Sequence, residues 1–467
     1  MSKADLALLT PAEMAKADQL TLAGGTSESV LVERAGQAVT DAILRRFAAR
    51  PTLVLAGPGN NGADARIVYR RLKEAGWPVR LAQGTGLKPD AIGDARLIVD
   101  GIFGAGLSRD ISGPIAQLIN SVNEAAIPVV AIDVPSGLDG ATGQIRGTAL
   151  RARLTVTFFR RKPGHWLLPG RTLCGETELA QIGIAPEVLT AIAPQCHQNG
   201  LALWHLPDAG LAAHKYTHGH ALIVSGGPNN TGAARLAASG ALKAGAGLVT
   251  IASPAAALPV HAAHLTAIML RQVDTAADLA ATLTDPRFKS LLIGPAAGVN
   301  ATTRAKVEAA FSGPAALVLD ADALSVFTSD SKALLNLIQN FNKAVVLTPH
   351  EGEFVRLFSN LRFKSESKLE RARNAAAASG AIILLKGADT VIAHPDGRII
   401  INTNAPPWLA TAGSGDVLAG IITGLLARGL DGFEAAAAGA WAHGQAAQTI
   451  GPGLCAEDIS AAIPTLI

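Results

Sequence analysis

The stretch TLVLAGPGNNGADARIVYRRLKEAGWP (Thr52–Pro78) joins a short apolar run to a glycine-rich turn and then to a helical pattern. Its first part, Thr52–Gly57, has the length and apolar content of a buried strand. The later part predicts a helix over Ala63–Ala75, because Gly76 and Pro78 follow it as stop signals. A strand, a turn and a crossover helix in this order are typical of a parallel α/β sheet.

The same alternation recurs through all 467 residues, a length that allows two to three domains of roughly 150 residues each. Between the two halves, Ala185–His214 has mixed character and no long strand, so we place the boundary near Leu201 and predict domains over 1–200 and 201–467. The other predicted strands are Val79–Gln83, Ala95–Gly101, Pro128–Pro135, Leu154–Phe159, Ala221–Gly227, Leu291–Pro295, Ala316–Asp322, Ala344–Pro349 and Ala381–Gly387.

Composition argues against several classes of protein. The net charge is only +3 and the longest basic cluster is Arg160–Lys162, which leaves no nucleic-acid footprint. Three widely spaced cysteines give neither a disulfide framework nor a metal spacing, so we expect a reducing, cytoplasmic setting. The segment Ala244–Leu270 lacks charged residues, but Pro254 and Pro259 interrupt it, and a buried α/β core is favoured over a membrane span.

In the first half, polar residues follow three predicted strands. The turn GPGNNGADA (Gly57–Ala65) follows the first, Asp100 ends another, and Asp133 and Ser136 follow a third. Ligand sites of open α/β sheets lie at such carboxyl ends. If the strands are neighbours, these side chains converge, and their oxygens suit a cation or a general base. The alternative is that each is a turn or helix-capping residue.

In the second half, the motif GSGD (Gly413–Asp416) opens a long apolar helix. Its two glycines would expose backbone N–H groups to a transferring phosphate, and Asp416 would take a proton from an attacking hydroxyl. Lys386 ends a predicted strand within reach of such a phosphate. The alternatives are a helix N-cap for Asp416 and a solvated surface position for Lys386. There is no P-loop signature in the sequence.

Another strand end carries the motif TPHEGEF (Thr348–Phe354), which places His350, Glu351 and Glu353 at the sheet edge. The two glutamates would also favour the N-terminus of a following helix, because they complement its dipole. From the sequence alone, both roles stay open for them.

Four motifs of the first half, GPGNNGAD, DGIFGAGL, DVPSGLDGATG and ARLTVTFFRRKPGH, occur in an order that resembles the epimerase domain of the bifunctional NAD(P)H-hydrate repair enzymes. The resemblance implies a Rossmann-like three-layer α/β/α domain that interconverts the R and S epimers of hydrated NADH and NADPH. It implies Asp133 as the acid/base and a potassium ion at Asn61, Asp100 and Ser136. The substrate contacts it implies are Asn60, Asn61, Gly62, Ala63, Asp64, Gly104, Ala105, Gly106, Leu107, Ser108, Arg109 and Asp110.

The first half departs from the family pattern G-N-N-G-G-D-G at Ala63 and Ala65. Each alanine adds a Cβ near the substrate loop. We therefore expect a weaker epimerase or a slightly displaced loop.

In the second half, the order of TPHEGE and GSGD resembles the ribokinase-like α/β fold. With HKYTHGHALIVSGG and GAARLAASGALKAGAGLVT, it resembles the ADP/ATP-dependent NAD(P)H-hydrate dehydratase. The resemblance implies Asp416 as base and substrate contact, with Mg²⁺ and ADP or ATP as cofactors. It implies that Ala233, Gly298 and His350 contact the hydrated nucleotide. The donor contacts it implies are Lys386, Gly387, Ala388, Asp389, Thr390, Gly413 and Gly415.

Departures occur in this half as well. GPAAG (Gly294–Gly298) stands where the family has G-P-G-L-G, and Pro406–Trp408 stand where G-N-P-G-M is usual. His350 replaces the asparagine of T-P-N-x-x-E. We expect an altered shape for the loop before Gly413.

The two resemblances together predict one repair enzyme with two active sites, in which the dehydratase uses the S epimer and the epimerase supplies it. We also expect a homo-oligomer, and no nucleic-acid or membrane partner. One alternative is a kinase for a vitamin-like alcohol with a nucleotide-sensing first half. The other is a first half that only binds ligands.

Overall fold

The computed structural model describes residues 2–207, 215–359, 361 and 367–465. It divides into two compact units, Ser2–His197 and Gln198–Ile467. Residues 208–214 of the predicted connecting segment lie outside the described part of the chain.

The N-terminal unit contains a six-stranded sheet in the order β3-β2-β4-β5-β6-β7, with every neighbouring pair parallel. Its helices and strands are β1 (Ala7–Leu8), α1 (Pro11–Ala23), α2 (Glu28–Arg46), β2 (Thr52–Ala56), α3 (Asn60–Glu74), β3 (Val79–Gln83), β4 (Leu97–Gly101), α4 (Gly113–Glu124), β5 (Val129–Ile132), β6 (Leu154–Phe158), α5 (Gly170–Leu173), β7 (Glu176–Ala180) and α6 (Val188–Ile192), followed at the boundary by β8 (Cys196–Gln198).

The central strands of this unit are buried on both faces, as their continuous apolar runs predict. Alternate residues point to opposite faces, so Val54 joins the core beneath α2 and α3, while Leu53 and Leu55 join the core beneath α4. The result is three layers, with the sheet between two layers of helices.

The C-terminal unit has a sheet in the order β17-β16-β15-β14-β13-β12-β9-β10-β11, in which only the pairs β15–β16 and β16–β17 are antiparallel among those described. Its helices and strands are β9 (His220–Val224), α7 (Thr231–Lys243), β10 (Leu248–Ser253), α8 (Leu258–Ala262), β11 (Met269–Gln272), α9 (Ala276–Leu283), β12 (Phe288–Ile293), α10 (Ala301–Ala310), β13 (Ala316–Leu319), α11 (Asp322–Ser325), α12 (Ser331–Gln339), β14 (Val345–Leu347), α13 (Glu351–Leu357), α14 (Lys368–Ser379), β15 (Ile382–Leu385), β16 (Val391–Ala393), β17 (Ile399–Ile401), α15 (Ser414–Ala427), α16 (Gly432–Ile450) and α17 (Ala456–Ala461).

Small residues bring α7 and α15 into close contact. A Cβ placed on Gly420 would lie 2.0 Å from the carbonyl oxygen of Ala237, and one on Gly424 would lie 2.3 Å from that of Ala241. Both positions therefore require glycine. This contact holds the start of α15, which carries GSGD, in a fixed position over the sheet.

The uncharged segment Ala244–Leu270 forms β10, α8 and part of β11. In the described residues, no helix has both the length and the apolar character needed to cross a membrane.

Candidate active sites

Three adjacent strands of the N-terminal unit, β2, β4 and β5, end at the same edge of the sheet and bring the predicted polar residues together. The helix after β2 begins at Asn60, three residues earlier than predicted. Its start is crowded, because a Cβ on Gly62 would lie 1.9 Å from the carbonyl oxygen of Gly57. Asn60 and Asn61 therefore belong to the first helical turn and face the sheet edge.

Asp133 lies at the centre of this edge in a strained backbone conformation, with φ of +68°. One carboxylate oxygen, Oδ1, accepts hydrogen bonds from Thr157 Oγ1 at 2.9 Å and from Lys162 Nζ, and the other accepts from Ala105 N at 3.4 Å. Its carbonyl oxygen lies 2.8 Å from His165 Nε2. Since His165 Nδ1 accepts from the backbone N–H of Lys162, Nε2 carries the proton that bonds Asp133.

Three carboxyl groups at this edge differ in the direction or size of their pKa shifts. Burial raises the pKa of Asp133, but the Lys162 ammonium and hydrogen bonds outweigh it and hold that pKa below its ordinary value. Burial, followed by the charges of Asp133 and Asp18, raises the pKa of Asp64 to about 8. Burial raises the pKa of Asp18 to about 6. At neutral pH the edge therefore holds an ionised Asp133 and a protonated Asp64.

Two cavities open at this edge, of about 490 Å³ and about 170 Å³, and both are lined by Asp18, Asn60, Asn61, Asp133 and Lys162. The larger cavity is also lined by the predicted run Gly104–Arg109, and the smaller by Asp64. Three of the predicted substrate contacts, Gly62, Ala63 and Asp110, line neither of these two cavities.

Ala63 and Ala65, the two alanines that depart from the family pattern, line neither of the two cavities. Ala65 is fully buried, and a Cβ on Gly101 would lie 2.5 Å from its methyl group. Its side chain therefore packs against the end of β4. The weaker epimerase or slightly displaced loop that we expected from Ala63 and Ala65 stays a prediction.

Asp100 and Ser136 form a buried, hydrogen-bonded pair at the same edge of the sheet as Asp133. Asp100 accepts from the Ser136 hydroxyl at 2.6 Å and from its backbone N–H at 2.7 Å. Asn61 Nδ2 donates to the carbonyl of Ile132, which leaves its oxygen toward Gly104, where a Cβ would lie 3.1 Å away. Burial raises the pKa of Asp100 to about 6. A buried carboxylate with amide and hydroxyl oxygens nearby is a donor set that fits a hard monovalent cation.

Lys162 and Asp18 are site residues that we did not single out from the sequence. Lys162 ends the basic run Arg160–Lys162 and lies inside the motif ARLTVTFFRRKPGH, so the signal was present. Asp18 lies on α1, far from any strand end, and nothing in its local sequence indicates a site.

The second site lies at the start of α15. Gly413 caps this helix with φ of +84°, and a Cβ on Gly415 would lie 3.6 Å from Lys386 Nζ. The lysine forms an ion pair with Asp320, at 2.7 Å from Nζ to Oδ1. Asp320 follows β13 and is 1% exposed. We did not single out Asp320, although it obeys the same strand-end rule that indicated Asp100 and Asp133.

Asp416 is half-buried in the first turn of α15 and has a perturbed acidity. Burial raises its pKa to about 6, the charges of Asp320 and Asp322 act in the same direction, and Lys386 opposes them. Burial lowers the pKa of Lys386, but the charges of Asp320, Glu353 and Asp416 outweigh it, so the lysine stays protonated. Asp416 is thus a base of moderate strength beside a fixed cation, an arrangement suited to deprotonating a hydroxyl.

A largely apolar cavity of about 270 Å³ adjoins this site. The predicted donor residues Lys386, Gly387, Ala388, Thr390 and Gly415 line it, whereas the carboxylate of Asp389 pairs with Lys368 at 2.6 Å. The departing residues Pro406 and Pro407 form one wall, so this loop shapes the cavity.

His443 on α16 also lines this cavity. It is 7% exposed, and burial lowers its pKa to about 4, which leaves it neutral. Within the described part of the chain, its Nε2 has no hydrogen-bond partner. The neutral ring of His443 therefore forms part of the cavity wall.

The remaining predicted residues lie on neighbouring loops. His350 caps α13, where its Nδ1 accepts from the backbone N–H of Gly352 at 3.0 Å, so the imidazole performs the capping role that an asparagine would fill. Gly298 donates its N–H to Asp322 at 2.8 Å. Ala233 lies in the first turn of α7.

These features define a class of protein: two α/β units, each with a buried aspartate beside a lysine at the carboxyl edge of its sheet. Residues 221–464 match the family model described as NAD(P)H-hydrate dehydratase, and residues 28–91 and 83–164 match that of the YjeF-related protein N-terminus. The bifunctional NAD(P)H-hydrate repair enzyme Nnr of Moorella thermoacetica is 38% identical over 94% of this chain and 91% of its own length. The corresponding enzyme of Synechocystis sp. is 32% identical over 94% and 90%. The chain belongs to the family of bifunctional NAD(P)H-hydrate repair enzymes.

Among solved structures, the ADP/ATP-dependent NAD(P)H-hydrate dehydratase of Bacillus subtilis, co-crystallised with ATP/Mg²⁺, is 29% identical, with a TM-score of 0.49 over 56% of this chain and 93% of that one. Membership of the family confirms the predicted fold class, a Rossmann-like N-terminal unit and a ribokinase-like C-terminal unit.

Proposed function

We propose that this chain repairs hydrated NADH and NADPH in two steps, an epimerisation in the N-terminal unit and a nucleotide-dependent dehydration in the C-terminal unit. The observation that carries the proposal is a complete aspartate–lysine site in each unit of a chain that is 38% identical, over 94% of its length, to a bifunctional repair enzyme. A kinase for a vitamin-like alcohol would need only the second site. That alternative therefore does not explain the aspartate–lysine site in the N-terminal unit.

In the N-terminal site, Asp133 is the acid/base. Its carboxylate is ionised and can accept a proton, while Lys162 on the same oxygen keeps it ionised and can return one. The substrate contacts are the predicted set Asn60–Asp64 and Gly104–Asp110, of which Asn60, Asn61, Asp64 and Gly104–Arg109 line the cavities. The oxygens of Asn61, Asp100 and Ser136 would hold a potassium ion, which would neutralise the buried Asp100 carboxylate.

In the C-terminal site, Asp416 takes the proton of the substrate hydroxyl as that oxygen attacks the terminal phosphorus of ADP or ATP. Lys386 and the N–H groups at Gly413 and Gly415 stabilise the charge on the transferring phosphoryl group. Phosphate then leaves one ring carbon, and the neighbouring carbon loses a proton to the solvent, so the nicotinamide double bond returns. Phosphate is a better leaving group than hydroxide, which is why phosphorylation precedes elimination. When bound, Mg²⁺ would neutralise the donor phosphates, and Asp320 and Asp416 are the nearby carboxylates that fit it.

The remaining contacts of the dehydratase follow the predicted sets. Ala233, Gly298 and His350 contact the hydrated nucleotide, and Lys386–Thr390 with Gly415 hold the donor. We add His443, whose neutral ring lines the apolar donor cavity, as a packing contact for the adenosine moiety. A cytoplasmic location and a homo-oligomeric state stay predictions.

The test is recovery of NADH absorbance when the purified chain is mixed with hydrated NADH and ADP, and separately with ATP. We expect complete recovery from a mixture of R and S epimers with at least one of the two donors. Asp133→Ala should leave the R epimer to its spontaneous rate while the S epimer is still consumed. Failure to recover NADH with either donor would refute the dehydratase, and unchanged turnover of R in Asp133→Ala would refute the role of Asp133.

A further inference from the structure

A separate cavity of about 260 Å³ lies at the carboxyl ends of β9 and β12 in the C-terminal unit. It is lined by the glycine turn Gly226–Gly227 after β9, by Ala297, and by Asn300, Thr302 and Thr303 at the start of α10. Lys306, one turn further along α10, completes the wall. Neither the predicted donor residues nor Asp416 line it.

Lys306 is the unusual member of this wall. The residue is 6% exposed, yet its Nζ makes one hydrogen bond, to the carbonyl of Val273 at 3.0 Å. Within the described part of the chain, no carboxylate oxygen lies within the 4.0 Å of an ion pair with this ammonium. A buried ammonium that faces a cavity without a counter-ion is costly, and an oxyanion in the cavity would relieve that cost.

The nearest carboxylates are engaged elsewhere. Asp274 also lines the cavity, but its oxygens accept from the backbone N–H of Ala255 at 2.9 Å and from Gln272 Nε2 at 2.6 Å. Asp278 accepts from the N–H groups of Thr275 at 2.8 Å and Asp274 at 3.1 Å. Burial lowers the pKa of Lys306, and the charges of Asp274 and Asp278 only partly oppose it. Neither carboxylate accepts from its remaining N–H donors.

The cavity adjoins the loop that carries Gly298. A Cβ on Gly226 would lie 1.9 Å from the carbonyl oxygen of Ala296, so the glycine turn packs directly on GPAAG. Gly298 lies between Ala297 and Asn300, which both line the cavity. It also donates to Asp322, whose charge acts on Asp416. Gly298, a predicted substrate contact, therefore adjoins both this cavity and the carboxylate of Asp322.

We propose that this cavity binds phosphate oxygens of the hydrated dinucleotide, with Lys306 as the cationic contact and Asn300 as its polar neighbour. The inference rests on the proposed dehydratase function and extends it. Two phosphate groups qualify: the pyrophosphate common to both hydrates, and the 2′-phosphate that only hydrated NADPH carries. Both offer the oxyanion that the ammonium requires.

Two variants test the contact by charge. Lys306→Gln removes the charge but keeps an N–H donor for the Val273 carbonyl. Asn300→Asp keeps the helix cap, because aspartate caps as well as asparagine, and adds a negative charge to the cavity wall. Each should raise the KM for hydrate about tenfold, with kcat within about twofold. Lys332→Gln, on the exposed surface of α12, is the matched control and should change neither.

Comparison of the two hydrates identifies the phosphate group. An equal rise in KM for both indicates the pyrophosphate, and a rise for hydrated NADPH alone indicates the 2′-phosphate. A KM within about twofold of wild type for both hydrates in both variants would overturn the proposal while the dehydratase function stands.

If the wild-type chain restores no NADH, the dehydratase function fails and the cavity is tested by binding alone. Inorganic pyrophosphate should raise the unfolding temperature of wild type more than that of Lys306→Gln or Asn300→Asp. Equal stabilisation of all three would overturn the anion site. Should Lys306→Gln fail to fold, Asn300→Asp decides by the same criterion.

Discussion

In the N-terminal site the lysine contacts the aspartate that we propose for catalysis, whereas in the C-terminal site the lysine contacts a neighbour of that aspartate. Lys162 pairs with Asp133 and lowers its pKa, while Lys386 pairs with Asp320 and leaves Asp416 with a pKa of about 6. The same two side-chain types therefore yield a carboxylate with a lowered pKa in one unit and a carboxylate with a pKa of about 6 in the other. The position of one ammonium decides which carboxylate is stabilised.

The largest expected effect comes from removing the poised base. Asp416→Asn keeps the shape of the side chain but cannot accept the hydroxyl proton, so kcat for dehydration should fall about 10³-fold. Stopped assays of NADH recovery from the S epimer measure this loss. Epimerisation of the R form, followed by chromatography, is the internal control and should be unchanged. A loss smaller than about tenfold would mean that another group removes the proton.

Removing the Lys162 ammonium from the first site should raise the pKa of Asp133, as the pKa of Asp416 is raised in the second site. In Lys162→Gln, the largest contribution that opposes burial is lost, and the Thr157 hydrogen bond only partly offsets burial. The pKa of Asp133 should therefore rise, and epimerisation at pH 7 should fall about 10²-fold. Because Asp133 would ionise again at higher pH, activity should partly recover as the pH rises. Lys73→Gln, on the exposed face of α3, is the control. A pH-independent loss would indicate that the lysine itself transfers the proton.

The protonated Asp64 gives the first site a larger pH-dependent contribution to stability than Asp416, with its pKa of about 6, gives the second. The pKa of Asp64 is about 8 in the folded chain against 3.8 ordinarily, so between these pH values the folded state binds more protons. The free energy of unfolding therefore declines as the pH rises from about 4 to about 8. Asp64→Asn removes the share of this decline that is due to Asp64 and should gain about 4 kcal/mol relative to wild type between pH 5 and pH 9.

Urea unfolding of the two proteins at both pH values measures the difference. Because Asp64 is proposed to contact substrate, the measurement is made on the free enzyme. A constant difference between the proteins across this range would contradict a raised pKa for Asp64.

The smallest effect concerns a backbone rather than a charge. Both sites contain non-glycine residues with positive φ, Asp133 at +68° and, in the GPAAG loop, Ala296 at +52°. Ala296 stands where the family has glycine, and a left-handed alanine is strained. Ala296→Gly should stabilise the chain by about 0.5 to 1 kcal/mol, since relief of strain exceeds the added chain entropy. Thermal unfolding compares this variant with Ala297→Gly. Ala297 has no positive φ, so glycine relieves no strain there and should lower the unfolding temperature.

One rule predicted much of the active-site geometry: polar residues that follow an apolar strand lie at the carboxyl edge of the sheet. Polar residues after apolar runs at Asp100, Asp133 and Lys386 were placed at strand ends, and the parallel sheets bring them to shared edges. The same rule, applied to Ala316–Asp322, would have found Asp320. Asp18 could not be found, because it reaches the site from a helix whose local pattern predicts only a packing role.

The alternation of apolar runs, glycine turns and helical patterns determined two α/β units and the edges where their sites lie, because strand and helix periodicity is local and residues at strand ends share one side of a parallel sheet. Only the tertiary structure decided which lysine faces which aspartate. Lys162 meets Asp133 across 29 residues of chain, and Lys386 meets Asp320 across 66. Charge interactions in a buried site depend on distances between elements, and no local pattern of residues encodes those distances.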